Sequence, residues 1–125
     1  MGKMENIPPN AFVLDCPSRE ILIRLAEKWT FLIVIALQDG PKRFGALKRQ
    51  VEGVSQKMLT QTLRNLEADG LVIRQVYDEM PLRVEYQLTA LGHELVPLNT
   101  AIKKWTEDNM RKILEARING RSGAV

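Results

Sequence analysis

Residues 41–89 read PKRFGALKRQVEGVSQKMLTQTLRNLEADGLVIRQVYDEMPLRVEYQLT, and the order of signals in this stretch decides the fold. Two helical patterns flank a short link that holds Gly53, the arrangement of a helix-turn-helix unit. Ser55 suits the N-cap of the second helix, because its hydroxyl can accept from an orphaned backbone N–H. That helix runs to Asp69 and Gly70 closes it. Leu59, Leu63 and Leu66 recur on one side as a buried stripe, with Met58 at the edge. Gln56, Lys57, Thr60, Gln61 and Arg64 fall on the opposite, wet side.

Downstream, residues 71–77 and 83–88 read as two strands joined by a projecting tip, Asp78-Glu79-Met80-Pro81-Leu82. In the second strand Val84, Tyr86 and Leu88 alternate with Arg83, Glu85 and Gln87, which predicts the first set inward and the second outward. Together these strands form a wing over about residues 71–89. Thr89 then caps a helical region over about residues 90–118, in which Pro97 must kink or restart the helix unless it sits in a first turn. Leu91, Leu95, Leu98, Ile102 and Trp105 form a stripe on that helix. So long a terminal helix has little core left to cover, and its stripe suits a second copy of the chain.

Upstream, residues 1–12 read as a loose arm and residues 119–125 as a frayed tail. Pro17 opens a first helix, where its missing N–H costs nothing, and Ile21, Leu22, Leu25 and Trp29 share one face. Residues 30–38 are apolar nearly all round and predict a buried central helix. Asp39-Gly40-Pro41 stops it. Residues 42–51 give a third helix with Phe44, Leu47 and Val51 inward.

The chain has 125 residues, one domain's worth, with a formal charge of +3. Residues 42–64 hold six basic side chains (Lys42, Arg43, Lys48, Arg49, Lys57, Arg64) against Glu52 alone, so the remainder is net negative. Widening the window to residues 39–69 lowers its charge to +2, which tempers the contrast. Basic charge gathered on one helical unit is the footprint of a phosphate-binding surface; a merely solvated face is the plainer reading. A single cysteine, Cys16, excludes an internal disulfide. The longest apolar run, residues 31–37, is far short of the roughly 20 residues a bilayer requires. A soluble cytoplasmic protein is expected.

These features predict double-stranded DNA as the partner. The helix after Ser55 fits a major groove. Gln56 and Gln61 suit adenine edges, Lys57 and Arg64 guanine or phosphate, and Ser55 and Thr60 phosphate near the helix N-terminus. Lys42 and Arg43 add basic charge beside them. Arg83, at the base of the wing, can reach the backbone or a narrow minor groove, or else pair with Glu85 two residues on.

The run from Arg43 to Gly92, RFGALKRQVEGVSQKMLTQTLRNLEADGLVIRQVYDEMPLRVEYQLTALG, resembles the HxlR-type family of winged helix-turn-helix transcription regulators, within the MarR-like superfamily. So does the preceding CPSREILIRLAEKWTFLIVIALQDGPK, and together the resemblance covers about residues 16–105. The family implies a mainly α fold with a small β-hairpin. It also implies a homodimer joined through N- and C-terminal helices, here by Ile21, Leu25, Leu98, Ile102 and Trp105, on a pseudo-palindromic operator. The family's wing commonly reads Tyr-Pro-Glu-Val-Pro-Pro-Arg; Tyr77, Glu79, Pro81 and Arg83 match, whereas Asp78, Met80 and Leu82 make this tip more acidic.

Cys16 falls at the start of the first helix, where unpaired N–H groups, the helix dipole and Arg19 favour a thiolate. It suits a sensor of oxidants or electrophiles, as several family members resemble, or a structural residue near the dimer seam. A small-molecule effector is compatible with the same cleft. An enzyme built on Cys16 would need a base or resolving partner, and His93 is the only histidine. No cofactor-binding or metal-ligand pattern is present. A winged helix used only for protein contacts is the competing reading, and it predicts no salt-sensitive affinity for duplex DNA.

Overall fold

A computed structural model describes residues 8–121. Its elements run α1 (Pro17–Ala26), α2 (Lys28–Ala36), α3 (Phe44–Gln50), α4 (Gln56–Ala68), β1 (Val72–Tyr77), β2 (Arg83–Leu88) and α5 (Ala90–Arg121). This is the expected winged helix-turn-helix: mostly helical, with one antiparallel hairpin pairing Val72 with Leu88 through to Tyr77 with Arg83.

The core gathers around α2. Ile33, Val34 and Leu37 are fully buried and meet Leu47, Leu59, Leu63 and Leu66, with Val72 and Leu88 closing the hairpin side. The anticipated stripe of α4 is thus confirmed, and Thr62 is buried beside it. Burying side chains of this size stabilises the fold by about 1.5–3 kcal/mol each before entropy is counted. Gly53 makes the turn between α3 and α4 at φ 92°, a backbone region that L-side chains rarely adopt.

Several local expectations need correction. The first helix does not extend to Trp29. Glu27 is extended, and its carboxylate accepts from the N–H groups of Trp29 (2.9 Å) and Thr30 (3.0 Å). Two orphan donors of α2 are thereby satisfied by one side chain, so a break with a cap replaces continuous helix. Lys42 is not on α3 either. Its backbone N–H donates to the Tyr86 carbonyl (2.9 Å), and its carbonyl accepts from the Tyr86 N–H (2.8 Å). The chain therefore stays extended until Arg43, which precedes α3. This bridge flanks β2 on the side away from β1. Tyr86 and Leu88 turn to the core as expected, and Glu85 and Gln87 on the opposite side are half-buried.

Thr89 caps α5 as anticipated. Its hydroxyl accepts from the Gly92 N–H (3.1 Å) and donates to the Gly70 carbonyl (2.7 Å), joining the start of α5 to the end of α4. At Gly92 a Cβ would lie 2.2 Å from the Leu71 carbonyl oxygen, so only glycine permits this approach. Pro97 does not restart the helix, which continues through it to Arg121. The bond Pro97 cannot donate is lost within a segment held by tertiary packing. Leu95 and Val96 lie against the core, and Asn99 Nδ2 donates to the Phe31 carbonyl (3.3 Å). Residues 119–121, expected in the tail, are helical; residues 1–7 of the arm and 122–125 of the tail lie outside the described residues.

Candidate nucleic-acid interface

α4 offers two opposed surfaces because its apolar residues recur at helical spacing. The Ser55 hydroxyl accepts from the Met58 N–H (3.1 Å), as a capping residue should. On the outer surface Gln56, Lys57, Gln61 and Arg64 are exposed, and Thr60 is half-buried. These side chains are not equivalent. Thr60 turns its hydroxyl back to the Gln56 carbonyl (2.8 Å), and Gln61 Nε2 donates to Asn65 Oδ1 (3.0 Å). Among the described residues, the side chains of Gln56, Lys57 and Arg64 make no hydrogen bond or ion pair, so their polar ends are available to a partner. Lys42 is engaged through its Nζ with Gln50 Oε1; Arg43 is exposed just ahead of α3.

The far end of α4 is anchored by a contact the sequence reading does not single out. Arg24 of α1 places Nη1 2.9 and 3.0 Å from the two oxygens of Asp69, the C-cap residue. A carboxylate at the negative end of a helix dipole is unfavourable, and Arg24 offsets it. Both groups keep about a third of their surface in solvent, so this tie contributes orientation more than stability. No periodicity marks it, because the partners are 45 residues apart.

In the wing, Arg83 lies between two carboxylates, with nitrogen–oxygen distances of 2.9 Å to Glu79 and 2.9 Å to Glu85, and stacks 3.6 Å from the centre of the Tyr77 ring. The pairing with Glu85 offered by the sequence is therefore present, and Glu79 joins it. The hydrogen bond from Arg83 holds the Glu79 carboxyl below its usual range, and the two carboxylates raise Arg83 further above its own. This guanidinium braces the wing. Arg74 and Tyr86, which the sequence reading leaves aside as DNA-facing residues, line a recess against α4 together with Thr60 and Arg64.

The HxlR-like helix-turn-helix family model matches residues 24–114. The chain belongs to that family. The uncharacterized HTH-type transcriptional regulator YtfH of Escherichia coli strain K12 is 43% identical over 108 residues, covering 86% of either chain. The transcriptional regulator ytfH from Salmonella typhimurium superposes with a TM-score of 0.82 at 43% identity, over 88% of this chain and 98% of that one. The redox regulator HypR in its oxidized form superposes at 0.70 and 41% identity, over 75% of this chain and 97% of its own. This HxlR-like protein is thus a DNA-binding regulator of transcription.

Two further surfaces of the HxlR-like chain hold the remaining residues singled out in the sequence. Leu98, Ile102 and Trp105 on α5 are 62%, 57% and 60% exposed, and Ile21 on α1 is 47% exposed; Leu25 is half-buried against the chain's own core. Cys16 is half-buried at the N-cap of α1. Its Sγ lies 3.1 Å from the Ser18 hydroxyl and accepts from the Asn10 N–H at 3.4 Å. These contacts, Ser18 foremost, hold the thiol below its ordinary pKa. The lowering comes from them rather than from Arg19. Pro9, Val13, Pro17 and Ile21 form a mostly apolar recess around the sulfur. Among the described residues no group of three or more His, Cys, Asp or Glu side chains could hold a metal ion, and no helix is long and apolar enough to cross a membrane.

Proposed function

We propose that this HxlR-like regulator binds a pseudo-palindromic operator as a homodimer, with α4 in the major groove of each half-site. The observation that carries the reading is the outer face of α4: Gln56, Lys57 and Arg64 project without internal partners from a helix fixed at both ends by Ser55 and Arg24. Glutamine can bond adenine in two places, and lysine or arginine can reach guanine or phosphate. Ser55, Thr60 and Gln61 contribute after exchanging or sharing their present bonds, and Lys42 and Arg43 meet the flanking backbone. Arg83 acts chiefly by holding the wing in shape. Its reach to DNA is limited by Glu79 and Glu85.

The dimer rests on the apolar surface of α5 and α1, where Leu98, Ile102, Trp105 and Ile21 are left uncovered. Leu25 supports that surface from below. A regulator of this kind works in the cytoplasm, where its operator is. Cys16 is the sensing residue, supported by its lowered thiol pKa, its accessibility and the likeness to the redox regulator HypR. Its thiolate attacks a peroxide oxygen, breaking the O–O bond to form a sulfenic acid and release hydroxide or alkoxide, or adds to an electron-poor carbon–carbon double bond with a solvent proton completing the adduct. The modified sulfur alters the seat of α1 beneath the dimer.

Selection of bound duplexes from a random pool, with the protein reduced and then oxidised, tests the whole reading. Enrichment of two half-sites centred about 10–10.5 bp apart, or a multiple, is expected from the reduced protein. Affinity should fall steeply with added salt. An unenriched pool and salt-insensitive binding would leave a protein-contact module instead. Cys16→Ser should bind the operator normally and keep its affinity under oxidant; loss of affinity in that variant would remove the sensing role.

A further inference from the structure

We propose that one phosphodiester of the DNA backbone seats in the recess between α4 and the wing, gripped by Arg64 from the helix and Arg74 from β1. This deepens the DNA-binding reading and rests on it. The recess holds about 300 Å³ and is lined by Thr60, Leu63, Arg64, Glu67, Arg74 and Tyr86. Arg74 stands directly opposite Tyr86 in the hairpin, so the two side chains leave the same side of the sheet. Tyr86 packs against the core, which sets Arg74 on the side that faces α4.

Charge then decides the ligand. Arg24 and Arg83 are matched by carboxylates, whereas Arg64 and Arg74 have no ion pair, ring contact or hydrogen bond among the described residues. Glu67 is the only acid lining the recess. Two guanidinium groups against one carboxylate leave a single positive charge, and a phosphodiester carries a single negative one. The planar fork of arginine fits phosphate oxygens in pairs. The recess lies between the groove-entering helix and the wing, where the strand bordering the groove must pass. A free phosphate has the same chemistry but no such reason to sit there.

Arg74→Gln tests the assignment, with salt-dependent affinity measured for the selected operator and for an unrelated duplex. Removing one phosphate contact from each protomer, two per dimer, should weaken both roughly twentyfold at physiological salt and make the slope of log affinity against log salt shallower by about 1.8. Lys112→Gln, remote on α5, should move neither quantity. In an operator carrying single methylphosphonates, one neutralised phosphate should weaken wild-type binding more than it weakens Arg74→Gln, which keeps only the Arg64 half of the grip; an equal loss in both proteins would overturn the Arg74 contact.

Wild-type affinity and slope in Arg74→Gln, with the wild type still steeply salt-dependent, would overturn the recess and leave DNA binding intact. A wild type without salt-dependent duplex affinity would overturn both. If inorganic phosphate shifts the Arg74 Nε–H resonance while Arg74→Gln binds duplex normally, the site takes a free anion and the backbone assignment is wrong. Should the glutamine variant fold poorly by circular dichroism, Arg74→Lys serves instead. It keeps the charge, so the slope should stay while affinity falls with the lost fork; wild-type affinity in this variant would equally overturn the grip.

Discussion

α4 and α5 expose opposite chemistries on the same small frame. α4 is 13 residues long and buries its apolar stripe completely, leaving glutamine, lysine and arginine outside. α5 is 32 residues long and leaves leucine, isoleucine and tryptophan outside. The core explains the contrast. α4 turns its stripe onto the core beside α2, whereas α5 reaches that core through Leu95, Val96 and Asn99 and leaves Leu98, Ile102 and Trp105 on its uncovered side. An exposed polar face calls for a polar, charged partner, and an exposed apolar face calls for another apolar face. In the proposed function the two helices therefore divide the labour of recognition and assembly.

The widest break in this division comes from the joint the two helices share. Gly92→Ala would force a methyl against the Leu71 carbonyl, a rigid backbone atom, and should cost about 3 kcal/mol of stability. Urea denaturation measures it, and a wild-type midpoint would show that the strand end yields freely. A narrower cut targets assembly alone. Ile102→Asp combined with Trp105→Asp should yield a folded monomer by sedimentation, with operator affinity reduced at least about a hundredfold as two-site binding is lost. A dimer surviving both changes would place the interface elsewhere.

On the other side of the comparison, Gln56→Ala should cost about 1–3 kcal/mol of operator binding, confined to one base pair of each half-site, with circular dichroism unchanged. A loss spread evenly over all sequences would demote Gln56 to a backbone contact. The smallest expected effect is at Cys16. Wild-type alkylation by iodoacetamide should rise through a pKa below that of an ordinary thiol. Ser18→Ala removes the foremost contact favouring the thiolate, so the pKa should rise and the rate at neutral pH should fall. The sign carries over to stability: a depressed thiol pKa favours the fold above the unfolded-state value, and that advantage fades as pH drops through the folded one.

What could be read in advance was whatever repeats or sits locally. Leu59, Leu63 and Leu66 announce their helix by spacing, and Ser55, Gly53 and Thr89 announce ends and turns by side-chain type. The missed features join residues distant in sequence or depend on a single side chain. Glu27 breaks a run that looks continuously helical because its carboxylate reaches forward to two N–H groups. Lys42 pairs with Tyr86 across 44 residues, which hides the extended start of α3. Arg83 could be read toward DNA or toward Glu85, and only the fold of the tip brings Glu79 to it as well. Pro97 obeys a local rule that packing on both sides overrides. Arg74 lies in an irregular strand, and its facing direction emerges only once the hairpin register is known.

The Lys42–Tyr86 bridge has a consequence for selectivity. It stitches the wing to the chain just ahead of α3, so the hairpin cannot swing as a loose flap and its separation from α4 is built in. With α4 in a groove as proposed, the strand passing between them would be measured as if by a caliper. On that binding mode, sequences that widen or narrow easily at that point should be accepted at low elastic cost, and stiff tracts of the wrong width refused even where no side chain touches a base.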